Sequence, residues 1–111
     1  MALGLPAKLL RIHLIEADRF EGRPLHEAII DKCRELEIAG ASVFRGLEGY
    51  GGAAEIHRQR LLSRDQPVVI HIIDSAENIE QILVAVERMM ERGVLALSDV
   101  EMIRVCHTRY S

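Results

Sequence analysis

The chain has 111 residues, which predicts a single domain over residues 1–111, and its net charge of −3 argues against a nucleic-acid-binding protein, which would carry a strongly basic surface. No apolar run approaches the roughly 20 residues of a membrane-spanning helix. Because the chain has only two cysteines and no recognisable signal peptide, we expect a cytoplasmic protein with reduced thiols.

The first third of the chain predicts a strand, a loop and a helix. Residues 8–15 alternate, with Leu10, Ile12 and Leu14 on one face, and this period of two is typical of a strand. Residues 16–23 are polar and predict a loop. Pro24 suits the first turn of a helix, which Gly40 should end. The residues at helical spacing are Leu25, Ala28, Ile29, Lys32, Cys33 and Leu36.

The middle of the chain predicts two strands joined by a long connection. Residues 41–45 are short and contain Val43 and Phe44, which favours a second strand. Residues 67–73 alternate and predict a third strand. The connection between these strands covers residues 47–66 and is rich in glycine.

The last third predicts a helix and a final strand. Asp74 or Ser75 should cap the helix, and Glu77 lies three residues after Asp74, as in a capping box. Gly93 should end the helix. We then expect a turn at residues 98–99 and a strand over residues 100–106. The apolar stripe of the helix consists of Ile79, Ile82, Leu83, Val86 and either Met89 or Met90.

This order of strand, helix, strand, strand, helix, strand predicts an α+β fold of the ferredoxin-like βαββαβ type. Right-handed crossovers would place both helices on one face of a four-stranded antiparallel sheet. The first and third strands would be neighbours at the centre of that sheet.

The face of the sheet without helices predicts a contact between subunits. It should carry Leu9, Arg11, His13, Ile15, Val69, His71 and Ile73. The mixture of apolar side chains with an arginine and two histidines suits an interface, where polar groups find partners on the other subunit. His13 and His71 could approach each other. Because no third ligand follows at a diagnostic spacing, we expect hydrogen bonding there and no metal site.

The glycine-rich connection carries the candidate ligand-binding residues, and no catalytic residue or cofactor is predicted. Glycine lets a ligand approach the backbone closely, and arginine grips phosphate with two donors. The spacing matches neither the dinucleotide fingerprint nor the P-loop. Two interpretations stay open, a site for a phosphate-bearing small molecule and a solvated hairpin tip. The candidate residues are Arg45, Gly46, Gly49, Gly51, Gly52, His57, Arg58 and Arg60.

Three segments resemble a PII-like domain-of-unknown-function family, related in fold to the nitrogen regulatory PII signal-transduction proteins. They are residues 40–51 (GASVFRGLEGYG), residues 56–62, with His57 and Arg60, and residues 67–70 (PVVI). The resemblance covers about residues 8–105. It implies a homotrimer that binds a small anionic ligand, often an adenine nucleotide, in clefts between subunits near the base of the 47–66 connection.

The resemblance also implies signalling through that connection to a protein partner, such as a membrane transporter or an enzyme. The chain itself is not expected to be an enzyme, because none of its serines sits in a nucleophile elbow. Two alternatives remain. One is a divalent-metal-responsive trimer of related fold, which His13, His57 and His71 would have to support, and the other is a small enzyme. Metal titration and ligand screening would distinguish them.

Overall fold

The computed structural model describes residues 4–46 and 66–107, which form a four-stranded antiparallel sheet with two helices packed on one face. The order across the sheet is β4-β5-β1-β6, which confirms the predicted ferredoxin-like topology. Within these residues, neither helix is long and apolar enough to cross a lipid bilayer. The elements are β1 (Leu5–Ile15), β2 (Arg19–Phe20), β3 (Arg23–Pro24), α1 (Leu25–Glu35), β4 (Ala41–Arg45), β5 (Pro67–Asp74), α2 (Ala76–Met89) and β6 (Val94–Met102).

The register of the sheet separates a covered face from an open face. Leu10 pairs with Ile72 on β5 and with Leu97 on β6, so residues of even number on β1 and β5 share one face. That face lies beneath the helices, and the side chains of Leu10 and Ile72 are completely buried. Residues of odd number, including Arg11 and His71, lie on the open face.

The core between the sheet and the helices is aliphatic. Each fully buried Leu, Ile or Val contributes about 1.5–3 kcal/mol relative to an exposed one. The predicted stripes of both helices are confirmed at most positions, but Lys32, Leu36 and Leu83 are only partly buried, and Leu36 lies just beyond α1. From α1 the buried residues are Leu25, Ala28, Ile29 and Cys33, and from α2 they are Ile79, Ile82, Val86 and Met89. From β1 and β5 they are Leu10, Ile12, Leu14, Val68, Ile70 and Ile72.

Helix α1 ends earlier than predicted. Its last residue is Glu35, and the chain leaves through Glu37, which takes a positive φ of 58°. The backbone N–H of Ile38 donates to the carbonyl oxygen of Cys33 at 2.9 Å, which is the hydrogen bond of a Schellman motif. Glu37, and not Gly40, therefore takes the left-handed conformation at which the helix ends.

Helix α2 is capped by Ser75, the second of the two predicted candidates. The Ser75 hydroxyl accepts a hydrogen bond from the backbone N–H of Asn78 at 3.2 Å. Asn78 thus occupies the third helical position, and the predicted capping box with Glu77 is wrong. The helix ends at Met89, so Gly93 belongs to the following turn. Gly93 has a φ of 126°, which disfavours other residues there.

A small hairpin, β2–β3, which was not predicted, lies mostly within the predicted loop at residues 16–23. Its two-residue connection has positive φ at both positions, 51° at Glu21 and 80° at Gly22, as a type I′ turn requires. Pro24 lies in β3 and at the N-cap position of α1, and not within the first helical turn as predicted.

Strand β6 is continuous, so the predicted turn at residues 98–99 and final strand over residues 100–106 are wrong. Ser98 pairs with Leu9 and Asp99 with Lys8 in the ladder with β1. The Lys8 ammonium also lies 2.5 Å from the Asp99 carboxylate. Strand β6 is at the edge of the sheet, where polar and charged residues are tolerated, so this pair does not interrupt the strand.

Candidate functional site

The described residues contain two of the eight predicted ligand-binding residues. Arg45 is the last residue of β4, and Gly46 follows it directly. Gly49, Gly51, Gly52, His57, Arg58 and Arg60 lie outside the described residues. The candidate site is therefore described from its base, where the 47–66 connection leaves and rejoins the sheet.

Backbone hydrogen bonds fix both ends of this connection. The N–H of Gly46 donates to the carbonyl oxygen of Pro67 at 2.8 Å, which closes the end of the β4–β5 ladder. On the other side, the N–H of Glu16 donates to the carbonyl oxygen of Gln66 at 2.9 Å. The ends of β1, β4 and β5 are thus tied together. Arg45 is held at a defined position at this end of the sheet.

Three ionisable side chains meet at this base, and we call them the Glu16–His26–Arg45 cluster. An Arg45 guanidinium nitrogen, Nη2, donates to Glu16 Oε1 at 2.7 Å. The other carboxylate oxygen, Glu16 Oε2, lies 3.7 Å from Nδ1 of His26, the second residue of α1. Both of these facing atoms are buried and have no hydrogen-bond partner among the described residues.

The cluster keeps a cation at the base of the connection. The hydrogen bond and the negative charge of Glu16 raise the pKa of Arg45 above its ordinary value. The Arg45 side chain remains 53% exposed. Since a guanidinium has five N–H donors and Glu16 takes one of them here, Arg45 can also bind an anion from solvent.

Glu16 and His26 were not predicted as site residues. Strand β5 lies between β1 and β4 in the sheet, so no local spacing connects Glu16 with Arg45. His26 comes from the next helix, and only the three-dimensional packing brings it to the carboxylate. The sequence offered one signal, an acidic residue directly after the first strand.

A second feature near this end of β1 is an open pocket of about 290 Å³. Arg92 Nε donates to Asp18 Oδ1 at 3.2 Å, and Asp18 Oδ2 accepts from the backbone N–H of Ile15 at 2.8 Å. The pocket is lined by Ala17, Asp18, Arg19, Leu25, Glu91 and Arg92. Its lining is mainly polar, and it was not predicted from the sequence.

The open face of the sheet carries the histidines that were considered as metal ligands. His71 lies opposite Arg11, whereas His13 lies opposite Val69, so the two histidines are offset by two positions in the register. The His71 ring is tilted against Phe44, with 5.1 Å between ring centroids. Within residues 4–46 and 66–107 no three His, Cys, Asp or Glu side chains form a group that could hold a metal ion. His57 lies outside that part of the chain.

Comparisons with known proteins agree with this architecture. Residues 7–102 match the model of the DUF190 family, described as "Uncharacterized ACR". A UPF0166 protein of Aquifex aeolicus is 39% identical over 98 residues, which cover 86% of this chain and 92% of that protein.

Two solved structures show the same fold. A protein described as PII-like and signalling, from Thermus thermophilus, superposes with a TM-score of 0.68 at 18% identity and covers 93% of this chain and 94% of its own. CPII from Thiomonas intermedia, bound to ADP, AMP and acetate, has a TM-score of 0.67 at 21% identity and covers 94% of both chains. The predicted PII-like fold is therefore confirmed.

Proposed function

The chain belongs to the DUF190 family, and we propose that it is a PII-like sensor that binds an adenine nucleotide at the base of the 47–66 connection. The observation that carries this proposal is the half-exposed guanidinium of Arg45, held where the connection leaves the sheet. Charge-assisted hydrogen bonds from arginine suit phosphate groups. CPII, which shares the fold, was solved with ADP and AMP bound.

Arg45 and Gly46 would form the inner part of the ligand site. The outer part would come from the predicted residues in the connection, whose glycines allow close approach to phosphate and whose arginines supply charge. These residues are Gly49, Gly51, Gly52, His57, Arg58 and Arg60. No chemical step is assigned to the site, and the proposed role is binding and signalling.

The proposed assembly is a homotrimer formed through the open face of the sheet, with the ligand between subunits. Large apolar side chains are exposed on this face, including Phe44 at 52%, Ile73 at 42% and Val94 at 60%. Neighbouring Arg11 and His71 would find hydrogen-bond partners on the other subunit. Such a contact would cover apolar surface that the single chain leaves in water.

Signalling would pass through the 47–66 connection to a protein partner, a membrane transporter or an enzyme. A ligand changes the conformation of a loop when it binds one loop state more tightly than another. Glycine occupies four positions from Gly46 to Gly52, and glycine adopts backbone conformations that other residues disfavour. Since adenine nucleotides are cytoplasmic metabolites, the proposal places the protein, as a single domain, in the cytoplasm.

Isothermal titration calorimetry with ADP, AMP and ATP tests this function. Arg45→Ala should weaken binding of the nucleotide by about 1.5–3 kcal/mol, the usual contribution of a hydrogen bond to a charged group. Arg88→Ala, at an exposed position near the end of α2, is the matched control and should leave affinity unchanged. If wild type binds none of the three nucleotides, the proposed ligand class is wrong. Equal affinity in wild type and Arg45→Ala would place the site elsewhere.

A further inference from the structure

The geometry of the Glu16–His26–Arg45 cluster points to a proton-sensitive latch on Arg45, in which ligand binding and protonation of His26 favour each other. This inference rests on the proposed function, because it assigns a regulatory role to residues at the same site. Glu16 and His26 act as positioning residues, since they would influence the ligand through Arg45 without touching it.

In the structure Glu16 forms a hydrogen bond with Arg45. The 2.7 Å hydrogen bond joins the guanidinium to Oε1 of a carboxylate that is only 23% exposed. An anion that binds the free N–H groups of Arg45 meets a guanidinium whose charge Glu16 partly neutralises, and one that draws the side chain outward must break this hydrogen bond. The hydrogen bond between Glu16 and Arg45 therefore lowers the affinity of Arg45 for the ligand.

His26 lies where it can form a hydrogen bond with the Glu16 carboxylate once Arg45 moves away from it. Its Nδ1 atom lies 3.7 Å from Glu16 Oε2, and the side chain is only 13% exposed. Neither atom has a hydrogen-bond partner among the described residues, and an unpaired buried polar atom is costly. A small side-chain rotation would bring the two atoms into contact.

Protonation makes this contact favourable. When His26 takes one proton from solvent, both ring nitrogens become donors, and Nδ1–H can donate to the carboxylate as a charge-assisted hydrogen bond. The Glu16 charge is then shared between the imidazolium and Arg45, and its hold on the guanidinium weakens. Conversely, a ligand that draws Arg45 away leaves Glu16 as an unpaired anion, which favours the imidazolium.

The other charged groups on α1 and in residues 17–24, together with Arg92, are paired elsewhere or exposed. They are Asp18, Arg19, Glu21, Arg23, Glu27, Asp31, Lys32, Arg34, Glu35 and Arg92. Arg23 forms an ion pair with Asp31 at 2.6 Å, and Arg92 forms one with Asp18 at 3.2 Å. Arg34 also pairs with Asp31, and Lys32 pairs with Glu35. Arg19, Glu21 and Glu27 are solvent-exposed. Within the described residues, Glu16 is thus the anion that faces His26, and Arg45 is the cation paired with the other oxygen of that carboxylate.

The first test needs no ligand and follows the His26 ring by NMR between pH 5 and 8, the range in which imidazoles usually titrate. Arg45→Ala should raise the titration midpoint of His26 by about 0.7 of a pH unit, which equals a fivefold coupling at the low end of the usual range. Glu16→Gln should lower it. A midpoint that is the same in wild type and both variants would overturn the latch.

The second test measures the affinity for ADP at pH 6 and pH 8 by calorimetry. Because ADP itself titrates, the informative quantity is the ratio of wild-type affinity to His26→Gln affinity at each pH. Coupling is reciprocal, so this ratio should be about fivefold larger at pH 6 than at pH 8. The control is His107→Gln at an exposed position, for which the ratio should not change with pH.

The two tests separate the latch from the proposed ligand. Absence of binding of ADP, AMP and ATP would contradict the proposed function, while the titration of His26 without ligand would still decide whether Arg45 and His26 compete for Glu16. ADP binding with the same pH profile in wild type and His26→Gln would support the ligand site and overturn the latch.

Discussion

Asp74, at the end of β5, connects the sheet to both helical segments. Its carboxylate accepts hydrogen bonds from the backbone N–H groups of Ala39 at 3.0 Å and Ser75 at 2.7 Å, and from the Asn78 side chain at 3.1 Å. Burial opposes ionisation, but these hydrogen bonds and the charge of Arg104 outweigh it, so the pKa of Asp74 lies below its ordinary value.

A lowered pKa makes part of the stability depend on pH. Since the pKa of Asp74 is lower in the folded state than in the unfolded state, its contribution is present above about pH 4 and is lost as the pH falls through the folded-state pKa. At pH 7, Asp74→Asn should lower the free energy of unfolding by about 1.5–3 kcal/mol, and this difference should shrink toward pH 3. Urea denaturation between pH 7 and pH 3 measures this difference in the free energy of unfolding. Glu87→Gln, at an exposed position on α2, should show no such dependence.

The two thiols should differ strongly in reactivity. Burial raises the pKa of Cys33 to about 11, whereas Cys106 is exposed. Because the thiolate is the reactive species, an aromatic disulfide reagent at pH 8 should modify one thiol rapidly in the native protein. Cys106→Ser should abolish that rapid reaction, and Cys33 should react only after unfolding. Rapid modification of two thiols would mean that the core around α1 opens easily.

At the scale of single elements, α2 offers a direct check of the packing. Ile82 is completely buried, whereas Val84 is 46% exposed on the same helix. Ile82→Ala should lower the free energy of unfolding by about 2–5 kcal/mol, because it removes buried methyl groups and leaves a cavity. Val84→Ala should cost well under half as much. Chemical denaturation of the two variants compares them, and equal losses would contradict the orientation of the helix.

Elements with a repeating pattern could be predicted, whereas those defined by one unusual residue or by distant partners could not. The apolar stripe of α2 and the alternating apolar residues of β1 arise because one side of each element is buried. These patterns are therefore visible in the sequence. The β2–β3 hairpin depends on Glu21 in a conformation that favours glycine or asparagine. Ser98 and Asp99 have the composition of a turn. The sequence does not show that Lys8 on the neighbouring strand pairs with Asp99.

The residues of the candidate site also differ in whether they could be predicted from the sequence. Arg45 could be predicted because it directly precedes the glycine-rich stretch at the end of a short strand. Glu16 and His26 could not, because their relation to Arg45 depends on the strand order and on the packing of α1. The predicted residues from Gly49 to Arg60 lie outside the described part of the chain and stay predictions.

At the scale of the whole molecule, the open face of the sheet is the surface through which we propose that chains associate. It combines exposed apolar residues, such as Ile73 and Phe44, with Arg11 and His71 at the centre. A stable interface buries about 600–1,000 Å² on each partner, which is comparable to one face of a small four-stranded sheet. On the helical side most of the described apolar residues already form the core, and Val43, Val84 and Leu97 remain exposed there.

If the chain forms the proposed homotrimer, light scattering should give a mass about three times the 12.5 kDa of the chain. Ile73→Asp should reduce this mass, because it would bury an unpaired carboxylate in the contact between subunits. Val84→Asp is the matched control, since Val84 has nearly the same exposure, 46% against 42% for Ile73, but lies on the helical side. It should keep the wild-type mass. If both variants keep that mass, the subunits associate through another surface, and a ligand site between them would have to be sought there.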